Sequence, residues 1–363
     1  MPAENQTGSK KAASGELLRV EHLRQYFTSG KAVTKAVDDV SFSLNRGEIL
    51  GLVGESGCGK TTTARSVIKL YQPTGGRVWF DGELIASGAW EQQEAVRRAK
   101  KALKQASPDQ KQAARTALAQ ARTQCRQAEA QSRELRRKYP SVTQIQMIFQ
   151  DPMASLNPRM TIKEIIAEGL RIRGMKDEKQ IDRMVMDVLG KVGLLPEHAN
   201  RYPHEFSGGQ RQRIGVARAI VMEPKMIIAD EPVSALDVSI QAQVINLLGQ
   251  LREETGISIL FIAHDLSVVK YFSDRIGVMY FGHLVELATS DELFARPLHG
   301  YTRALLSAIP MPDPHYEKRR RRIVYQQPEY SPAELESLTL REVFSGHFVR
   351  CTEAEAKQFG GKA

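Results

Sequence analysis

An α/β fold on a mostly parallel central sheet is the class that this 363-residue sequence predicts. The first observation is a set of short, almost uniformly apolar runs at 49–53, 226–229 and 257–263. Such runs suit strands buried on both faces. The second is the helical periodicity between them, at 161–170 and 239–251, which gives the strand–helix alternation of a parallel sheet. The third is length, enough for roughly two domains at about 150 residues each. At 42% hydrophobic and 26% charged residues, the composition argues against global disorder and fibrous repeats.

The elements follow in order. Residues 1–15 are rich in Ala, Ser, Gly and Lys and read as a disordered lead-in, too polar for a signal peptide. Strand-like runs then occupy 17–20, 40–44 and 49–53, with others at 145–149 and 276–280. The segment 90–139 breaks the rhythm: within 91–138 there are 11 alanines, no aromatic residue, and 13 Lys or Arg against 5 Asp or Glu. Ser107-Pro108-Asp109-Gln110 interrupts it with a helix start, Ser107 as N-cap and Pro108 at the first position. Val96, Ala99, Leu103 and Ala106 before it, and Leu118, Ala121, Cys125, Ala128, Ser132 and Leu135 after it, form narrow seams. They predict a helical hairpin whose second arm, about 31 residues, reaches roughly 46 Å. Residues from 151 to about 215 read as a helical subdomain, and 311–363 as a C-terminal extension.

The net charge of +9 sits largely in that hairpin, with a second basic knot at Lys318-Arg319-Arg320-Arg321-Arg322. No apolar run approaches the ~18 to 20 residues that span a bilayer. Three cysteines, Cys58, Cys125 and Cys351, form no disulfide framework and suggest a reducing, cytosolic compartment.

Chemistry concentrates at Gly54-Glu55-Ser56-Gly57-Cys58-Gly59-Lys60-Thr61, immediately after the apolar run 49–53. Glycines let the backbone curl so that N–H groups converge on phosphate oxygens, and the helix that follows adds its positive end. Lys60 would reach the β- and γ-phosphates, while Thr61, with Thr62 beside it, would stand at the helix start, its hydroxyl on Mg²⁺. The run 226–229 ends in Asp230 and Glu231, which places Asp230 at the C-terminal edge of the sheet beside that loop. Glu231, one residue on, could polarise an attacking water. Ser207-Gly208-Gly209-Gln210 opens a second helix, 210–221, and so offers a second anion-binding end. One chain cannot easily aim both ends at one phosphate, which invites a dimer in which each chain completes the other's site.

With Phe206 before it, that run resembles the signature motif of the ATP-binding-cassette transport ATPases. Gln150 matches the family's Q-loop, Ser234-Ala235-Leu236-Asp237 its D-loop, and His264 its switch histidine. Phe27, rather than Tyr26, falls where the family stacks an aromatic ring on adenine. Ile145-Gln146-Met147-Ile148-Phe149-Gln150-Asp151-Pro152, Ala154-Ser155-Leu156-Asn157-Pro158-Arg159 and Tyr301-Thr302-Arg303-Ala304-Leu305-Leu306 look like the oligopeptide and dipeptide permeases, in particular the second of their two ATPase subunits. The basic hairpin departs from the family pattern. So does the C-terminus, where those subunits often carry several cysteines that hold an iron–sulfur cluster. Here Cys351 alone remains and no cluster is expected.

The resemblance implies a P-loop NTPase (RecA-like) core spanning 16–310, with an antiparallel β subdomain and a helical subdomain. It implies ATP and Mg²⁺ as cofactors, with Thr61, Gln150 and Asp230 around the metal, and Glu231 as general base. Lys60, Gln150 and His264 would face the γ-phosphate, and Asp237 would adjoin the shared site. Ser207, Gly208, Gly209 and Gln210 would clasp the ATP of a second ATPase subunit, identical or different. Two transmembrane permease subunits and, indirectly, an extracytoplasmic solute-binding protein complete the implied assembly, at the cytoplasmic face of the membrane. The alternatives are a non-transport relative that uses the hairpin to bind nucleic acid, disfavoured because such arms enter after the Q-loop, and a regulatory module without turnover. The hairpin itself reads as a solvated insertion, or as a contact for acidic lipid head groups or a partner.

Overall fold

The computed structural model describes residues 15–30, 32–139, 142–234, 236–309 and 323–360. The lead-in up to residue 14 and the knot Lys318–Arg322 lie outside them. The chain opens with β1 (Glu16–Ser29) and β2 (Ala32–Asn45), a long antiparallel hairpin. Each strand has 14 residues, far longer than the apolar runs 17–20 and 40–44. The outer ends, the last three residues of β1 and the first four of β2, are exposed and held by cross-strand pairing, which hydropathy does not register. Next come β3 (Ile49–Val53), α1 (Lys60–Val67), β4 (Gly75–Phe80) and β5 (Glu83–Ser87). Strands β4 and β5 were not read from the sequence. They complete a four-stranded antiparallel sheet in the order β2-β1-β4-β5.

The hairpin is α2 (Trp90–Gln105) and α3 (Lys111–Lys138). Its second arm has 28 residues, about 42 Å of helix, preceded by a 3-10 turn at Pro108–Gln110. Ser107 makes no side-chain cap, against expectation; its carbonyl accepts the N–H bonds of Gln110 and Lys111, both at 3.0 Å. The seam residues are all partly or fully buried, and Leu118 is the most buried side chain of α3. At the base, Ser132 donates to Ser87 O at 2.8 Å and Gln72 Nε2 to Ser132 Oγ at 3.2 Å.

There follow β6 (Ile145–Ile148), α4 (Pro152–Ser155), α5 (Ile162–Ile172), α6 (Glu178–Lys191) and α7 (Gly208–Ile220). Thr161 and Glu164 close a capping box at the start of α5, an arrangement worth ~1 kcal/mol. Between 151 and 215 the described residues form helices and connecting turns, and no strand. The chain continues through β7 (Met226–Asp230), α8 (Val238–Thr255), β8 (Ser258–Ile262) and α9 (Leu266–Phe272). It goes on to β9 (Arg275–Tyr280), β10 (His283–Thr289), α10 (Ser290–Ala295) and α11 (Gly300–Ser307). After residue 322 come β11 (Thr339–Phe344) and β12 (His347–Cys351), each adjoining a short helix.

The central sheet has eight strands in the order β11-β12-β10-β9-β3-β8-β7-β6, parallel from β9 to β6. Every residue of β3, β7 and β8 is buried. Their side chains alternate between two cores, as period-two geometry requires. Ile49, Ile227, Ile259 and Phe261 face the helices α5 to α9, whereas Leu50, Leu52, Ile228 and Leu260 face α1 and the antiparallel sheet. Three layers result, with the C-terminal ends of β3, β7 and β8 at one edge. The sequence reading set a boundary at 310, but the sheet runs across it: β12 pairs with β10 through Glu286↔Val349 and Leu287↔Phe348. Cys351, in β12, is buried.

Candidate nucleotide site

The phosphate loop is the connection from β3 to α1. Gly54 and Gly59 are held at φ 150° and 108°, where an L side chain is strained. A Cβ at Gly54 would lie 2.2 Å from Met279 O, and one at Gly59 2.4 Å from Ala36 O. No larger residue fits either cradle, where β9 and β2 crowd the loop. Lys60 is 4% exposed, and its Nζ donates to Gly54 O at 2.7 Å and Glu55 O at 3.0 Å. A lysine has three N–H bonds, and the third makes the longer contact with Cys58 Sγ at 3.9 Å. Ser56 and Gly57 form the exposed outer rim of the loop, Cys58 is buried, and Thr62 is half-buried on α1. Burial pushes the Cys58 thiol up from its ordinary range.

Asp230 ends β7, 1% exposed, and accepts the Thr61 hydroxyl at 2.8 Å. Burial raises its pKa, opposed by the Thr61 bond and the Arg65 charge. A carboxylate and a hydroxyl this close are the donor set that magnesium takes beside phosphates, so the residues present fit that ion. Glu231 follows at φ 47°, a left-handed conformation costly for a residue with a side chain. Its N–H is tied to Ile262 O at 3.0 Å. The carboxylate meets Gln150 and His264: Gln150 Nε2 donates to Glu231 Oε2 at 3.0 Å, and His264 Nδ1 lies 3.4 Å from the same oxygen. Residues 81 and 33 positions from Glu231 in sequence therefore share one carboxylate oxygen.

Ser207 caps α7 reciprocally with Gln210, with Gln210 N 3.4 Å from Ser207 Oγ and Ser207 N 3.0 Å from Gln210 Oε1. Gly209 packs so closely on α8 that a Cβ would sit 2.4 Å from Ile240 Cγ2, and Gly208 faces Leu236. Asp237 caps α8 through Ile240 N at 3.0 Å, and the Ser239 hydroxyl, together with that bond, lowers its carboxyl pKa. Among the described residues no hydrogen bond or ion pair joins Ser207–Gln210 to the phosphate loop. Within the D-loop run, Ala235 lies outside the described residues, while Ser234 donates to Glu231 O at 3.2 Å.

Phe27 is 39% exposed and meets Tyr71 edge-on at 5.3 Å. Tyr71 in turn accepts from Arg65 of α1 at 3.2 Å. Tyr26 is tied inward through its hydroxyl to Asp38, which leaves Phe27 as the ring with a free face. One contact escaped the sequence reading: the Tyr301 hydroxyl accepts the Glu55 N–H at 3.1 Å. Nothing in a linear pattern links positions 246 apart.

Comparisons with known proteins place the chain in a family. The ABC transporter family model matches residues 37–142 and 114–234, two matches that overlap at 114–142. A model of the oligopeptide/dipeptide transporter C-terminal region matches 285–337. The Bacillus subtilis (strain 168) oligopeptide transport ATP-binding protein OppF is 53% identical over 95% of this chain and 99% of its own. OppF of Escherichia coli (strain K12) is 51% identical over 82% of this chain and 76% of its own. The dipeptide transport ATP-binding protein DppF of Lactococcus lactis subsp. cremoris (strain MG1363) is 45% identical over 95% of this chain and 96% of its own. Among solved structures, cbiO1 of Clostridium perfringens superposes with a TM-score of 0.56 at 24% identity, covering 78% of this chain and 92% of that one. A dimeric ATP-binding cassette bound to ADP and Pi gives the same TM-score and identity over 76% and 99%.

Proposed function

Because the chain belongs to the ABC transporter family of ATPases, with full-length relatives among oligopeptide transport subunits, we propose that it hydrolyses ATP to drive a peptide importer. The observation that carries the reading is one run of contacts: Lys60 on the loop after β3, Thr61 bonded to Asp230, and the adjacent Glu231 meeting both Gln150 and His264. Lys60 and the loop N–H groups bind and orient the phosphates, and Phe27 offers its exposed face to the base. Thr61, Asp230 and Gln150 would hold Mg²⁺, which supplies charge neutralisation on the transferring phosphoryl group. Glu231 takes the proton of the attacking water, a role worth ~10²- to 10⁴-fold. Its left-handed backbone and the Gln150 and His264 contacts aim the carboxylate. His264, exposed on its outer side, can turn from Glu231 toward the γ-phosphate.

Ser207–Gln210 stands apart from the chain's own phosphate loop, so its partner is the ATP of a second ATPase subunit. The two half-sites close together, and α4 to α7, which begin beside Gln150, pass that closure to two membrane permease subunits. The chain sits at the cytoplasmic face of the membrane as a peripheral subunit, and a solute-binding protein meets it only through the permease. Among the described residues no helix is long and apolar enough to cross a membrane.

The test is a complex purified from its native membrane and returned to vesicles with candidate oligopeptides and dipeptides. Peptide-stimulated ATP hydrolysis, lost on Lys60→Ala, is the expected outcome. Turnover indifferent to every peptide, but stimulated by another solute, would keep the ATPase and discard the cargo.

A further inference from the structure

We infer that Tyr301 is a positioning residue for the nucleotide site, holding the Gly54–Glu55 peptide of the phosphate loop so that its carbonyl faces Lys60. The N–H and C=O of one trans peptide point in opposite directions across a rigid plane. Here both ends are taken. The Glu55 N–H goes to the Tyr301 hydroxyl at 3.1 Å, and the Gly54 carbonyl accepts Lys60 Nζ at 2.7 Å. The plane cannot turn without breaking both bonds, and it needs a hold, because Gly54 at φ 150° has no side chain to restrict it.

Packing alone does not explain the hydroxyl. The Tyr301 ring is 2% exposed, with centroids 4.3 Å from Tyr280 and 5.7 Å from Tyr325. A phenylalanine would fill the same space, and a buried phenol is costly unless it bonds. Its recorded bond is to the phosphate loop. Tyr325 also presses on the start of α11, where a Cβ at Gly300 would lie 3.0 Å from its ring. The stack therefore draws on β9, α11 and the C-terminal stretch, and sets the hydroxyl's position from outside the loop. Lys60, steadied by two loop carbonyls, presents its third N–H to a phosphate. Among the described residues no hydrogen bond, ion pair or ring contact joins Glu231, Gln150 or His264 to this stack, so the effect falls on nucleotide affinity and not on chemistry.

The inference rests on the loop being the nucleotide site, and the experiment separates the two. Calorimetric titration with MgADP uses the wild-type chain, Tyr301→Phe, Lys60→Ala, and Tyr325→Phe, which keeps every ring. We expect Tyr301→Phe to bind about three- to tenfold more weakly, the range of one lost hydrogen bond to a backbone N–H. KM for ATP in the assembled complex should rise to match, with kcat within twofold. Tyr325→Phe should resemble wild type. Amide hydrogen exchange on the wild-type chain is the second readout: the Glu55 N–H should be protected, and that protection needs no variant to fold. Equal MgADP affinity of wild type and Tyr301→Phe, a matching fall in kcat without change in KM, or a freely exchanging Glu55 amide would each overturn the role of Tyr301. Failure of the wild-type chain itself to take up MgADP would instead sink the nucleotide-site reading.

Discussion

Glu231 stands at the one position of the site where local backbone preference is overruled by context. A left-handed residue with a side chain costs roughly 1–2 kcal/mol, and the structure sustains it through the Ile262 carbonyl and two side-chain partners on one oxygen. Replacing it by glutamine keeps size and hydrogen bonding to Gln150 but removes the base. Turnover of the complex is expected to fall ~10²- to 10⁴-fold while MgATP affinity stays within a few-fold, measured by phosphate release beside calorimetry. Normal turnover would remove the general-base assignment. Asp230 offers a contrast: it is buried, burial raises its pKa, and a neighbouring cation would favour its charged form.

At the scale of elements, α11 carries a titrating cap. His299 Nδ1 accepts the Tyr301 N–H at 3.2 Å, and burial lowers the ring's pKa from 6.5 to about 4. The folded chain thus binds this proton less well than the unfolded one. The stabilisation is complete above about pH 6.5 and is lost as the pH falls through about 4, a term of order 3 kcal/mol. His299→Ser keeps an acceptor at the cap without the titration, so the acid limb of a urea-stability profile should move to lower pH. An unchanged limb would assign acid lability elsewhere. The hairpin obeys a different balance. Its seam is alanine-rich, and of its side chains only Leu118 is buried. Deleting 91–138 and joining its ends with a short flexible linker should therefore cost little of the core's unfolding free energy, whereas transport and membrane recovery report whether its cations meet a partner. A large loss of core stability would show that the hairpin is structural.

For the molecule as a whole, the proposed function assigns the starts of α1 and α7 to different pockets. Ser207→Arg at the start of α7 should leave MgATP affinity of the isolated subunit within twofold. It should abolish nucleotide-dependent closure of the assembled pair, read by crosslinking or light scattering. A parallel loss of affinity in the isolated chain would place Ser207 in the chain's own site. The sheet also binds the C-terminal stretch into the body. Glu286 is fully buried, receives the N–H groups of Leu298 and His299 at 2.7 and 3.0 Å, and meets His347 Nε2 of β12 at 2.8 Å.

Much of this was legible in residue order because the responsible forces are local. An apolar run, a glycine turn and a capped helix start each act over a few residues, so β3, the phosphate loop, Asp230 and the start of α7 could be read directly. Strands β4, β5, β11 and β12, with their mixed burial, could not, because their backbone bonds depend on neighbours that hydropathy does not reveal. Nor could the meeting of Gln150 and His264 on one oxygen of Glu231, or of Tyr301 with Glu55. The sequence by itself determined the chemistry available, since side-chain type and short-range spacing set which phosphate and metal ligands exist. Only the tertiary structure decided which of them touch, because strand order and helix packing bring together positions that the chain separates by tens to hundreds of residues.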